Sequence, residues 1–414
     1  MPLALLRTRT FRSLRHRNYR LYFAGQLVSF TGSWMQSAAL MWLVFDATRA
    51  AIWPPLLLVA HVGPTLLLGP WGGSLADRLP KRRLIAATQL ALLGVALTLT
   101  AVVALDVANP WLLLAVMGCS GVVQAVDLPA RLAFVPDLVP RADLMNAVAL
   151  NSLLFNAARA VGPALAGVVF LLADGRPVRV GALWCFGLNA VSFAAVLFAL
   201  GRIAVPGDGA IPNRAGGTLA GLRYVAARPP LFAVLVLTGL LCCCGWPATS
   251  LFPAYTARAL GHAEREYSLL VSGLGAGALV GALLTATVGS ERLRGILLAG
   301  GAGLVAAGLF GLAVAPTLPA ALAGGATLGF GLVLFLSTGQ SAVQLSVPDE
   351  MRGRVMALWA MTLAASAPVG HLLAGLAATY YPVRDVFGGL AAGAAVVATG
   401  AAGLAVGRRA KGSS

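Results

Sequence analysis

The chain has 414 residues, 59% hydrophobic and 11% charged, yet its formal net charge is +16. Water-soluble proteins carry about 25% charged residues, so a soluble enzyme, a disordered chain and a small disulfide scaffold are excluded. A nucleic-acid binder is excluded too, because it displays basic residues on a broad polar surface and this chain has too little polar sequence to build one.

A helix needs about 20 mostly apolar residues to cross a bilayer. Twelve stretches qualify: 19–45, 51–75, 84–105, 110–131, 146–173, 180–201, 231–257, 264–289, 296–315, 318–346, 351–377 and 383–407. Runs such as Leu90–Ala104 and Leu297–Ala315 are apolar on every face, as helices in lipid are. The period-two alternation of a transmembrane barrel is missing. Residues 1–18 carry five arginines and lead into a span too long for a signal-peptide core, so that span is read as a retained first helix. The predicted fold class is an all-α membrane protein of twelve transmembrane helices.

Polar groups are costly in lipid and are expected to face an interior cavity. In span one Gln26, Ser29, Ser33 and Gln36 share a face, and in span five Ser152, Asn156 and Arg159 do. Span ten repeats the pattern with Ser337, Gln340, Ser341 and Gln344, and span eleven with Trp359, Thr362 and Ser366. The predicted cavity set is Gln26, Ser33, Trp34, Gln36, Gln124, Asn156, Arg159, Trp246, Ser337, Gln340, Trp359 and Thr362. The three tryptophans would suit aromatic or amphipathic cargo. Hydrogen bonding between helices is the competing reading for each Ser and Gln.

Arg159 is alone at mid-span and needs a partner or an anionic ligand. A role toward substrate or coupling and a structural pairing stand level. Asp127, the one carboxylate placed within a span, shares a face with Gln124 and Arg131. A structural ion pair is preferred there over carrying a proton. His61 and His371 are read as packed side chains. The five cysteines, Cys119, Cys185, Cys242, Cys243 and Cys244, all lie in spans. Consecutive helix positions point about 100° apart, and no His, Asp or Glu set completes a metal site beside the run of three. Neither metal nor cofactor is expected.

With both termini in the cytoplasm, 23 of the 30 Lys and Arg fall inside and six outside, while Arg159 lies within the membrane. The 14 acids divide as seven inside, six outside and Asp127 in a span. The whole basic excess then faces the cytoplasm, as the positive-inside rule requires. Twenty-eight arginines against two lysines suggest a GC-rich bacterial genome, so the predicted location is the bacterial cytoplasmic (inner) membrane.

The longest polar connection, 202–229, is broken by Pro206, Gly207, Gly209, Pro212, Gly216 and Gly217. Within it Gly221–Arg228 reads as a short interfacial helix, with Leu219, Leu222 and Val225 on one side. The predicted organisation is a bundle over 1–201, a cytoplasmic linker over 202–229, a second bundle over 230–407 and a basic tail over 408–414. The halves also match at an offset of 208: residues 139–167 and 347–375 share ten identities in 29 positions. The offset carries Gly69, Gly73 and Gly121 onto Gly277, Gly281 and Gly329. Such internal repeats are a mark of secondary transporters.

Gly73-Ser-Leu-Ala-Asp77-Arg78-Leu-Pro-Lys81-Arg82-Arg83 lies between spans two and three. It resembles the signature loop of the major facilitator superfamily. Arg159-Ala-Val-Gly162-Pro163-Ala-Leu-Ala-Gly167 resembles the glycine-proline motif of that superfamily's antiporters. Phe11–Arg20, Gly25-Gln26, Trp34-Met-Gln36 and Asp127-Leu-Pro-Ala-Arg131 resemble the enterobactin-exporter-like bacterial branch. Pro80 departs from the glycine of the general signature, the second-half loop is reduced to Gly281…Ser290-Glu-Arg-Leu-Arg294, and His371 stands where a second Pro163 would.

The resemblance implies two pseudo-symmetric six-helix bundles and a gating role for Gly73, Asp77, Arg78, Lys81, Arg82 and Arg83. It would set Asp77 at the positive N-terminal end of span eleven, with the basic cluster on acids or lipid phosphates. Topology-setting alone is the competing reading of that cluster. The resemblance also pairs an acid at Asp127 with the basic residues of the loop. Gly162, Pro163 and Gly167 would let span five bend and approach a neighbour. Gly69/Gly73 and Gly273/Gly277/Gly281 form small-residue rows for close packing.

The predicted function is proton-coupled efflux of a small amphipathic molecule (a drug, siderophore or secondary metabolite), with Asp127 and Arg159 as the candidates for coupling. An importer or facilitator on the same fold is the alternative. No phosphate-binding G-x-x-x-x-G-K-[ST] run occurs, which argues against ATP drive within the chain. No catalytic cluster argues for an enzyme. The expected partners are the lipid bilayer, a small-molecule substrate and protons, in a monomer without nucleic acid.

Overall fold

The computed structural model describes residues 9–203, 218–287 and 293–412. Arg7, the linker glycines and prolines from Pro206 to Gly217, Ser290 to Arg292 and the last two residues of the basic tail lie outside them. Among the described residues every regular element is helical. Clustering divides the chain into two compact units, residues 1–43 with 60–213, and residues 44–59 with 214–414.

The first unit is built on α1 (Arg17–Thr48) and α2 (Trp53–Arg78), apart from their ends within residues 44–59, and on α3 (Lys81–Ala104), α4 (Pro110–Leu138), α5 (Leu144–Leu172) and α6 (Val178–Arg202). A 3-10 turn over Arg9–Arg15 precedes α1. The starts and stops follow local chemistry. Pro110 opens α4, and the Asn109 side chain accepts the Leu112 N–H at 2.9 Å as its N-cap. Pro80 breaks the chain between α2 and α3 after a one-residue gap. Buried Tyr19, Tyr22, Ile85, Ala130, Phe134 and Leu150 form a core near the end of the unit that holds the 3-10 turn. Lengths of 24 to 32 residues exceed the crossing minimum.

The second unit is built on α7 (Thr218–Ala226), α8 (Pro229–Gly245), α9 (Ala248–Ala259), α10 (Glu264–Thr287), α11 (Arg294–Val314), α12 (Leu318–Leu345), α13 (Asp349–Tyr380) and α14 (Val383–Gly412). Span seven departs from the expected single helix: it is α8 and α9, interrupted at Trp246-Pro247. Proline lacks the N–H that would continue the ladder and its ring crowds the turn before it. The interfacial helix also begins earlier than expected, at Thr218. Its Val225 is buried with α8 and α13 residues while Leu222 is exposed, so the two do not share one membrane-facing side.

Among the described residues eleven helical segments, α8 with α9 as one, are long and apolar enough to cross a membrane. The 32-residue α1, diluted by its polar stripe, is the twelfth long helix. The protein is a multi-pass membrane protein.

Small residues set the closest approaches between helices. A Cβ at Gly277 would fall 1.9 Å from the Ala326 carbonyl oxygen, and one at Gly329 1.9 Å from that of Leu274, so α10 and α12 touch backbone to backbone. In the first unit Gly121 does the same with the His61 carbonyl at 2.2 Å, joining α4 to α2. The expected Gly69/Gly73 row does not: a Cβ at either meets nothing within 4 Å. The glycine that α4 abuts is Gly72, 2.1 Å from the Ala125 oxygen. Successive helix positions point about 100° apart, so the contact face is set by one residue of register.

The repeat is visible as packing. A Cβ at Gly162 of α5 would meet the Met35 nitrogen of α1 at 2.9 Å, and one at Gly370 of α13 would meet the Cys243 backbone of α8 at 2.7 Å. Both glycines and both partners are 208 positions apart. Cys243 therefore serves helix packing, its Sγ donating to the Ser366 carbonyl at 3.3 Å.

Candidate transport site

The signature loop caps one end of the first unit. Lys81 opens α3, where the helix dipole disfavours a cation, and is paired with Asp137 at the C-terminal end of α4 at 2.8 Å. Arg82 donates to the Gly201 carbonyl at 3.3 Å, satisfying one of the open acceptors at the end of α6. Arg78 and Arg83 are exposed. Asp77 is half-buried in the last turn of α2, the end of a helix at which an anion is disfavoured.

The same end carries a second cluster that sequence reasoning missed. Arg12, Arg15 and His16 all converge on the buried Asp143, Arg15 at 2.9 Å and His16 at 2.7 Å. The Ser13 N–H donates to Asn146 Oδ1 at 2.9 Å, and Tyr19 Oη donates to the Ala147 carbonyl at 2.8 Å. The arm before α1 is thereby fastened to the start of α5. Read from sequence, those arginines counted toward membrane topology and the branch resemblance, with no partner assigned to them.

Deeper in the unit, Asp127 is fully buried and ion-paired with Arg131 one turn on. Its Oδ1 also lies 2.5 Å from Thr88 Oγ1 and 2.9 Å from Gln89 Nε2. Arg131 donates to Gln26 Oε1 at 2.7 Å and lies over the Phe30 ring, 4.7 Å from its centroid. The pair expected at Asp127 thus exists, but its partner is Arg131 and not the signature loop. Span four was expected to end at Arg131; α4 runs on to Leu138, so Arg131 is a buried residue inside the helix. Gln26, expected on a cavity wall, is fully buried in this cluster.

Arg159 stands at the middle of α5 with the opposite character. Its Nε and Nη2 are closed off from solvent, and they have no hydrogen-bond partner among the described residues. One turn before it, Phe155 meets Phe30 and Trp34 of α1 edge-to-face, centroids 5.6 and 5.9 Å away. One turn after it, Gly162 admits α1, a Cβ there falling 2.5 Å from Trp34 Cβ. Pro163 and Gly167 are buried beside it.

The other predicted wall residues separate into two groups. Gln36 accepts from Asn189 Nδ2 of α6 at 2.8 Å, Asn156 donates to the Ser152 carbonyl at 2.9 Å, and Thr362 donates to the Leu358 carbonyl at 3.0 Å. Trp359 is 3% exposed, packed with α8 and against Gly339, which corrects its placement on an open wall. Ser33, Trp34, Gln124, Trp246 and Ser337 are half-buried and Gln340 is exposed. His371 is buried and shares a hydrogen bond with Ser250 at 2.9 Å, a partner the sequence did not signal.

This is a helical membrane fold with an internal six-helix repeat, a braced basic end and polar clusters inside apolar helices. That is the class of secondary transporters, and the comparisons agree. Residues 8–411 match the family described as transmembrane secretion effector, so the chain belongs to that family of the major facilitator superfamily. It is similar to the enterobactin exporter EntS of Salmonella typhimurium, 28% identical over 93% of this chain and 90% of that one. It is also 28% identical to the staphyloferrin A transporter of Staphylococcus aureus, over only 44% of each chain. Among solved structures, the nucleoside transporter NupG shares the fold with a TM-score of 0.71, at 12% identity over 93% of this chain and 99% of that one. The protein is a transporter and not an enzyme.

Proposed function

We propose that the protein expels a small amphipathic molecule from the cell by exposing one site alternately to the two sides of the membrane, driven by the proton gradient. The observation that carries this reading is the match, from residue 8 to residue 411, to a family described by secretion. The exporter EntS, similar over nine-tenths of both chains, supports the direction. The repeated contact at Gly162 and Gly370 supports the mechanism, because such repeats underlie alternating access. The basic excess supports an orientation with both termini in the cytoplasm.

Asp77 contributes nothing to its own helix at that position, which supports a gating role for it with Gly73 and Arg78. Lys81 and Arg82 brace the gate's frame, and Arg83 faces water or lipid phosphate. Gly162, Pro163 and Gly167 shape α5 against α1. Asp127 with Arg131 acts as a structural pair, and Arg159 is the charge left for function.

Everted membrane vesicles energised by respiration test this reading with labelled anionic, neutral and cationic amphipaths. At least one probe should accumulate inside, and an uncoupler should abolish the accumulation. Equilibration that ignores the gradient would overturn coupling. Accumulation no greater than in vesicles lacking the protein, for every probe, would overturn export.

A further inference from the structure

Arg159 is a cation that the fold does not neutralise. Arginine stays charged in proteins, and a buried donor without an acceptor is costly, more so inside a membrane. Asp127, the fully buried carboxylate of α4, is held by Arg131, Thr88 and Gln89. Among the described residues the other ion pairs of its helices lie elsewhere: Lys81 with Asp137, Arg179 with Asp106, Arg49 with Asp46, and Asp143 with the N-terminal arm. None reaches Arg159.

The surroundings of Arg159 are specific. Phe155, Arg159 and Gly162 follow at steps of four and three, so they occupy one face of α5. That face meets α1 at both ends: Phe155 touches Phe30 and Trp34, and Gly162 lies against Trp34 and the Thr31 carbonyl. Arg159 therefore sits on the α5 face between the residue that makes the aromatic contacts and the glycine that admits the α1 backbone. Packing alone would place an apolar side chain there at no desolvation cost.

From this juxtaposition we infer that Arg159 is the recognition site for an anionic group on the cargo, a carboxylate or comparable oxyanion carried on an aromatic or apolar body. This inference rests on the transporter reading and names the substrate class of its site. A planar guanidinium offers a carboxylate two parallel donors, and Phe30, Trp34 and Phe155 supply the apolar wall that amphipathic cargo requires. The same oxyanion could come from an anionic lipid headgroup, so the test separates the two sources.

Full-length protein in phosphatidylcholine nanodiscs is titrated by calorimetry with 1-naphthoate, its neutral amide 1-naphthamide and the cation 1-naphthylmethylammonium. Naphthoate should bind at least tenfold tighter than the amide, and the cation weakest. Arg159→Gln should abolish the preference for naphthoate over the amide, and Arg159→Lys should keep part of it, each with an unchanged melting temperature. Equal binding of naphthoate and amide by the wild type, or no saturable naphthoate binding, overturns the inference without reference to any variant. Loss of naphthoate binding when phosphatidylglycerol is added to the nanodiscs assigns the site to a headgroup and overturns the cargo role. Everted vesicles keep the two levels apart. A wild type that pumps a probe yet prefers the cation loses the anion site and remains a transporter. One that binds naphthoate but pumps nothing keeps the site and loses export.

Discussion

Two arginines inside the first unit, Arg131 buried and Arg159 half-buried, have different surroundings. Arg131 has an ion pair, a glutamine oxygen and an aromatic ring around it. Arg159, on the neighbouring α5, has two shielded nitrogens and no acceptor. A folded chain tolerates the first because Asp127 balances its charge where it stands and Gln26 of α1 accepts from it, leaving its Nε alone without a hydrogen-bond partner among the described residues. It retains the second at a cost to stability, which is the usual signature of a group kept for work. Charge alone therefore does not separate a structural residue from a functional one inside a membrane; the inventory of partners does.

The largest effect expected lies at the satisfied site. Arg131→Met leaves Asp127 buried without its counter-ion, and should destabilise the protein by about 3–5 kcal/mol, read as a fall in melting temperature and in the yield of folded protein. Pairing it with Asp127→Leu should restore most of the loss, because an apolar pair replaces an ion pair at little net cost. If the double variant is no better than the single one, the cluster does more than balance charge.

Next in size is the helix contact beside the unsatisfied site. Gly162→Leu forces a side chain into the α1 backbone at Thr31–Met35, and overpacking of this kind costs about 1–3 kcal/mol. Gly69→Ala, where a Cβ meets open space, should be neutral or slightly stabilising, within about 1 kcal/mol. Melting curves of the two variants compare them directly. A tolerated leucine at 162 would remove the close α1 contact on which the niche around Arg159 depends.

The smallest effect belongs to a charge pair nearer water. Lys81→Gln breaks the bond to Asp137, whose side chain is 32% exposed, and solvent screening limits such pairs to about 0.2–1 kcal/mol. A loss as large as that at Arg131, in the same melting assay, would mean that exposure does not grade these charges as argued.

The spans, the repeat and the signature loop were readable from the chain because each is a pattern in neighbouring residues. Among the described residues eleven of the twelve apolar runs appear as single long helices and the other, span seven, as two, and the 208-residue offset reappears as matched contacts at Gly162 and Gly370. What escaped was pairing across helices. Span four was expected to close at Arg131, yet α4 continues to Leu138 and Arg131 pairs inside the helix with Asp127. Asp143 looked like one loop acid among seven, because nothing local shows that Arg12, Arg15 and His16 reach it from 127 or more positions away. The row Gly69/Gly73 had the right spacing but faced the wrong way, and Gly72 made the contact. Gln26 and Trp359 fell on polar stripes that turned out to be buried surfaces between helices. Periodicity finds a face; it does not say what covers it.

The contrast between the two arginines is tested most directly by the melting temperature of Arg159→Met in the purified protein without cargo. A group kept for a ligand adds nothing to the empty fold, so the variant should melt at or above the wild-type temperature. A fall comparable to that of Arg131→Met would show that Arg159 has a structural partner after all, and would contradict the account.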